Sequence, residues 1–147
     1  MDIRKLRIGN SLYYGDEIVK VKGIDVTQIM VWVSDNNSKP FPTLLDGLEP
    51  IPLTPELVKE LGFFESEMAK DTPTLHGIYV DPYMVKLAKE SKGDFSKIPT
   101  DELFHLWHIK LPNKYGEWKI FSNKGEIYVS YLHELENMYH YLTGRKL

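Results

Sequence analysis

A chain of 147 residues with 42 % hydrophobic, 27 % charged and 12 % aromatic side chains has the make-up of a globular protein, and its aromatic content argues against disorder. Its formal net charge of −3 is spread evenly: residues 1–53 carry six Lys and Arg against seven Asp and Glu, residues 54–98 six against eight, and residues 99–147 six against six. No lobe has the basic excess of a dedicated nucleic-acid binder, and the absence of cysteine excludes disulfides, thiolate metal sites and thiol nucleophiles together.

No apolar run approaches the length of a membrane span, and Met1-Asp2-Ile3-Arg4-Lys5 leads into alternation rather than into a secretory core. The expected location is the cytoplasm, without a membrane partner. Residues 6 to 33 then predict a β meander. Leu6-Arg7-Ile8 breaks at Gly9-Asn10-Ser11, Leu12-Tyr13-Tyr14 turns at Gly15-Asp16, and Glu17 to Lys22 alternates cleanly. Ile18, Lys20 and Lys22 lie on one side of that strand, Val19 and Val21 on the other, as in a sheet with one solvated face. Gly23 to Thr27 is expected to reverse the chain, and Gln28 to Val33, apolar on both faces, to form a central strand. Ser34 to Pro40 has neither period nor apolar content and predicts a loop. A meander of this length, closing near Leu48-Glu49-Pro50-Ile51, suggests a small curled sheet of the SH3-like kind.

Thr54-Pro55-Glu56-Leu57-Val58-Lys59-Glu60-Leu61-Gly62 carries a complete helix signature: a capping threonine, proline at the first helical position and a terminating glycine. A polar stretch leads to a short apolar segment, His76 to Val80. Residues 81–93 fit a helix from Tyr83 to Lys92 and also fit a strand, because Tyr83, Val85 and Leu87 alternate. Phe104 to Leu111 has the profile of an inner strand. Trp118 to Ser122 and Glu126 to Ser130 flank Asn123-Lys124-Gly125 as a hairpin. After Ser130 the period lengthens, and Tyr131, Leu132, Leu135, Met138, Tyr139 and Leu142 fall on one arc of a helix that Ser130 can cap and Gly144 can end. The expected architecture is α+β: an N-terminal SH3-like β-meander over residues 1–53, then a lobe over 54–147 with a short helix, an antiparallel sheet and a C-terminal helix covering it.

No constellation of reactive groups emerges. His105 and His108, three apart, point to opposite faces of a strand. His133-Glu134-Leu135-Glu136-Asn137 departs from the H-E-x-x-H zinc pattern at its second ligand, where Asn137 stands. His133 and His140 are expected on a solvated helix face with Glu136 and Asn137 near them, and His76 has no evident partner. Phosphate-cradling glycine loops and the G-x-S-x-G elbow are absent. These observations predict no catalytic residues, no metal and no cofactor. The best alternative is nucleic-acid binding through Arg4, Lys5, Arg7, Lys20, Lys22 and Trp32, cations with an aromatic that can track and stack on a single strand.

Three segments form a set: Leu6-Arg7-Ile8-Gly9-Asn10 with Tyr14; Pro50-Ile51-Pro52-Leu53-Thr54 running into Leu57 and Leu61-Gly62-Phe63; and Leu132-His133-Glu134-Leu135-Glu136-Asn137-Met138-Tyr139 with Leu142-Thr143-Gly144. This set resembles a group of small uncharacterised proteins encoded in prophages and mobile elements of gut anaerobes, whose closing segment reads like VHQLQNLYFALTG. Here Glu136 stands in place of Gln, and His140-Tyr141 in place of Phe-Ala. The resemblance implies a setting, phage or mobile-element biology inside a bacterial cell, and no residue roles. Such a setting favours a non-catalytic module that binds another protein, with a nucleic-acid-binding accessory protein as the alternative.

Overall fold

Gly15, at φ 59°, supplies the positive φ that a two-residue reversal requires, and the strands on either side of it pair directly. The computed structural model describes residues 1–35, 37–65, 78–80, 82, 86, 89, 90, 108–110, 117–122 and 125–147. In it β1 (Ser11–Tyr14), β2 (Glu17–Asp25), β3 (Met30–Ser34) and β4 (Phe41–Leu44) form a four-stranded antiparallel sheet in that order. One face carries the pairs Leu12 with Val19 and Val21 with Val33, which together with Val31, Ile3, Leu6 and Leu48 make a buried core. Removing such a side chain from water contributes about 1.5–3 kcal/mol each. The cross-strand row Ser11, Lys20, Ser34 belongs to the opposite face.

Three features of the meander differ from expectation. Leu6-Arg7-Ile8 forms no strand, because Ile3–Lys5 is a 3-10 turn and the Arg7–Asn10 hydrogen bonds close a second turn, so the sheet begins at Ser11. β2 runs on to Asp25, and the reversal falls on residues 26–29, because the Asp25 carboxylate accepts the backbone N–H groups of Thr27 (2.9 Å) and Gln28 (3.1 Å) and so sets the turn. Gly23 is therefore a strand residue opposite Trp32, just beyond a register shift at Lys22. The loop after Ser34 is shorter than predicted, since Phe41-Pro42-Thr43-Leu44 pairs with β3 as an edge strand, the position where a proline lacking its N–H is tolerated.

The sheet is open, and SH3-like closure is not confirmed: β1 and β4 stand at its two ends. Tyr13 and Glu49 exchange two backbone hydrogen bonds of 2.9 Å each, but as an isolated bridge rather than a strand pair.

Leu53–Ser130 form a second compact unit. It opens with helix α1 (Pro55–Glu60), where Thr54 Oγ1 accepts the Leu57 N–H (3.1 Å) and proline occupies the first turn, as the sequence predicts. Its sheet is antiparallel and follows chain order: β5 (Phe64–Glu65), β6 (Ile78–Val80), β7 (His108–Lys110), β8 (Trp118–Ser122) and β9 (Gly125–Val129). β7 is an inner strand, as expected of the segment ending at Leu111. Trp118 and Ile120 are fully buried, and the Trp118 indole N–H donates to the Leu53 carbonyl (3.3 Å). Of the segment 81–93, residues 82, 86, 89 and 90 are helical; the rest of it, with His76 and His105, lies outside the described residues.

The last helix, α2 (Leu132–Thr143), starts after Tyr131, whose backbone N–H donates to Glu134 Oε2 (3.2 Å), and ends at Gly144 with φ 70°. Ser130 is thus not its cap. The expected lobe of residues 54–147 is corrected too: Tyr131–Leu147 belong with Met1–Pro52 in the first unit. The Leu132 N–H donates to Ile51 O (2.8 Å), and three polar side chains of the N-terminal segment bond to the helix. An apolar arc announces that a helix needs cover without specifying which layer provides it.

Ile29, at φ 55°, is a β-branched residue in the left-handed region, an arrangement that costs on the order of 1–3 kcal/mol. Asn tolerates this region, so Ile29→Asn is expected to raise stability by about 0.5–1 kcal/mol, the exposed side chain contributing little burial. A lower denaturant midpoint for the variant would contradict this strain.

Candidate functional site

The polar face of α2 organises the site. Glu136 accepts from four groups: the Ser11 N–H (2.8 Å) and Asn10 Nδ2 (3.2 Å) at Oε2, and the Ser11 hydroxyl (2.6 Å) and Lys20 Nζ (3.2 Å) at Oε1. Lys20 also donates to Ser11 Oγ (2.5 Å). Ser11 and Asn10 are buried, and the Glu136 side chain keeps only 12 % exposure. The next residue, Asn137, accepts from Asn10 Nδ2 (2.9 Å) and donates to the Lys5 carbonyl (2.8 Å).

Asn10 in turn builds the neighbouring loop. Its side-chain oxygen accepts the Arg7 N–H (2.8 Å), its own N–H reaches the Arg7 carbonyl (3.1 Å), and its carbonyl accepts from Val21 (2.9 Å). Gly9 donates to Val21 O (2.8 Å) from φ 97°, a backbone that a side chain would strain. The turn 7–10 is thereby locked against β2, where Lys20 and the shifted Lys22 project.

A cleft of about 310 Å³ lies between these parts, all in the first unit. Arg7, Lys20, Lys22 and Lys146 line it, with Glu136, Asn137 and His140 from α2, Gly9 and Asn10 from the turn, and Ile8 and Leu147 at its apolar edge. Glu136 is the one carboxylate side chain in this lining, and four donors already satisfy it. Among the described residues Arg7, Lys22 and Lys146 make no ion pair. The cleft is therefore electropositive inside a unit that is not: Met1–Pro52 and Tyr131–Leu147 hold eight Lys and Arg against nine Asp and Glu.

Of the six residues predicted for nucleic-acid binding, the structure brings together Arg7, Lys20 and Lys22. Arg4 is outside the cleft; its guanidinium donates twice to Asp2 (3.1 Å each) and holds that carboxyl below its usual range. Lys5 contributes only its carbonyl to Asn137, and Trp32, on the sheet opposite Gly23, does not line the cleft. Sequence reasoning missed Lys146. His140 and Asn137 were legible as a face with Glu136, but that face was expected in solvent, and Glu136 is largely buried.

His133 departs further from expectation. It is only 3 % exposed, its ring stacks on Tyr131 (centroids 6.0 Å, 14° between planes), and among the described residues its Nδ1 has no hydrogen-bond partner. Burial pushes the imidazole below the ordinary histidine range, partly opposed by the Glu134 and Glu136 carboxylates. Among the described residues no three His, Asp or Glu side chains gather as a metal site, and no helix is long and apolar enough to cross a membrane. No protein-family model, curated protein or solved structure matches the chain.

Glu136→Ala strands buried donors at Asn10 and Ser11, an expected loss of about 2–3 kcal/mol despite alanine's better helix propensity. An unchanged denaturant midpoint would show that the four bonds carry no net stability. For His133 the folded state disfavours the proton, so its contribution is fully present above the unfolded value near 6.5. It is lost as pH falls from there toward the lower folded value. Unfolding free energies at about pH 7 and pH 5.5 should therefore differ more for the natural chain than for His133→Leu. Equal differences would place the imidazole in water.

Proposed function

We propose that the chain is a non-catalytic interaction module whose first unit grips an anionic group of a protein partner in the cleft of Arg7, Lys20, Lys22, His140 and Lys146. One observation carries this reading: four cations converge where the local carboxylate is already consumed internally. Glu136 offsets only Lys20, so the charges of Arg7, Lys22 and Lys146 are left to attract an outside anion. The cytoplasmic, phage or mobile-element setting implied by the closing segment accords with a small binding protein. The SH3-like reading of the meander draws on the Tyr13–Glu49 bridge, which follows a 3-10 turn at Leu45–Gly47.

A second reading, nucleic-acid binding, is favoured by the meeting of Arg7, Lys20 and Lys22, and weakened by Trp32 lying outside the cleft, since a single-strand groove needs stacking platforms beside its cations. The described cations also form a pocket rather than a stripe along a backbone.

Fluorescence anisotropy with a labelled Asp/Glu-rich peptide and a labelled single-stranded oligonucleotide decides between them. The peptide is expected to bind with an affinity that falls as salt rises and drops at least about tenfold in Arg7→Glu/Lys146→Glu, both exposed positions. Retention of the oligonucleotide alone, with the same loss, would replace the protein partner by nucleic acid. Binding of neither probe, or binding indifferent to the charge reversal, would overturn the cleft as the recognition site.

A further inference from the structure

Resting on the reading of the cleft as an anion site, the geometry points to the class of anion: a phosphomonoester, held as its dianion, rather than a carboxylate or a phosphodiester. The argument begins with charge. Lys20 shares its proton-rich head with Glu136 Oε1 and Ser11 Oγ, so this pair is close to neutral toward a ligand. Arg7, Lys22 and Lys146 remain, three positive groups without a counter-ion among the described residues. A single carboxylate or a diester phosphate brings one negative charge and leaves most of that excess standing. A phosphomonoester brings about −1.5 to −2 and three strong acceptor oxygens, a match in both charge and number for one guanidinium and two ammonium groups.

Shape supports the same choice. A cavity of about 310 Å³ is at the small end of ligand sites, adequate for a phosphoryl group with the side chain or sugar that bears it. The cations come from three separate places, the turn at Arg7, the shifted strand position Lys22 and the chain after the αL residue Gly144, and all three line the one pocket. His140, exposed beside them, adds a ring N–H that can donate to the ligand. Glu136 has a positioning role: by fixing Lys20 and the Asn10 turn it sets the wall against which the phosphoryl group rests.

The chemistry has two sources, a free small phosphate or a phosphorylated side chain on a protein, and the test separates them. Full-length protein labelled with ¹⁵N is titrated with inorganic phosphate, O-phosphoserine, a phosphoserine-containing peptide, and the pair of a nucleoside 5′-monophosphate and its 3′,5′-cyclic diester. The monoesters are expected to shift the amides of Gly9 and Asn10 and to bind at least about tenfold more tightly than the cyclic diester. Lys22→Ala and Lys146→Ala, exposed positions outside the hydrogen-bonded network, should each lower monoester affinity about five- to tenfold with the fold unchanged by circular dichroism. A phosphopeptide bound more tightly than O-phosphoserine assigns the source to a protein partner, and the reverse order assigns it to a small metabolite. Equal affinity for monoester and diester, or shifts mapping away from the cleft, would overturn the inference. If the Asp/Glu-rich peptide still bound through Arg7 and Lys146 in that event, the anion site would stand and only its phosphate chemistry would fall.

Discussion

The carboxylate of Glu136 is the interaction on which the first unit depends. An ionised side chain this far from water is costly unless every lone-pair direction is answered, and here a backbone N–H, a side-chain amide, a hydroxyl and an ammonium answer it. The consequence is topological as well as energetic. The donors come from the turn before β1, from β1 itself and from β2, so satisfying one side chain fixes a helix late in the chain against a hairpin at its beginning. The nearby bridge between Pro52 and Tyr131 and the Leu132 N–H bond to Ile51 bring the backbone to the same place.

That constraint explains why part of the architecture was legible and part was not. Four local signals were accurate. The Gly15-Asp16 reversal, the Thr54-Pro55 helix start, the hairpin around Gly125 and the Gly144 stop each depend on the conformational needs of a few adjacent residues. Thr54 and Pro55 identify α1 unaided because a cap needs only its own turn. Phe41-Pro42-Thr43-Leu44 escaped notice because proline reads as a break, and only the edge position of the strand makes it acceptable. The reversal at residues 26–29 was displaced for a comparable reason: Gly23 is the louder signal, yet the Asp25 side chain does the turning.

The destination of the last helix lay beyond sequence pattern altogether. Periodicity reveals an arc, and adjacency to a hairpin makes that hairpin the natural partner, but the polar face held the deciding information. His133, Glu136, Asn137 and His140 recur at the spacing of one helix side and look alike as a solvated stripe. In the fold each meets a different environment. Among the described residues His133 is buried and unpartnered at Nδ1, Glu136 is largely buried and saturated, Asn137 bridges to the Lys5 carbonyl, and His140 stands exposed in the cleft. Composition of a face does not reveal its burial when the surface it meets is itself polar, as the row of Ser11, Lys20 and Ser34 is.

The same reasoning ties the cleft to the helix's rotation. Successive residues of an α-helix are turned by about 100°, so a slip of one position would carry Glu136 away from Ser11 and Lys20 and present Leu135 or Asn137 to them. Neither could neutralise Lys20, and burying a leucine against Asn10 and Ser11 would leave their donors unanswered. Only one setting of the helix therefore satisfies the network, and in that setting His140, one turn beyond Glu136, lines the cleft with Arg7 and Lys22. The positive character of the cleft thus follows from an internal acid: by meeting its own charge requirement through Asn10, Ser11 and Lys20, Glu136 specifies the geometry and leaves the surrounding cations to whatever anion arrives from outside.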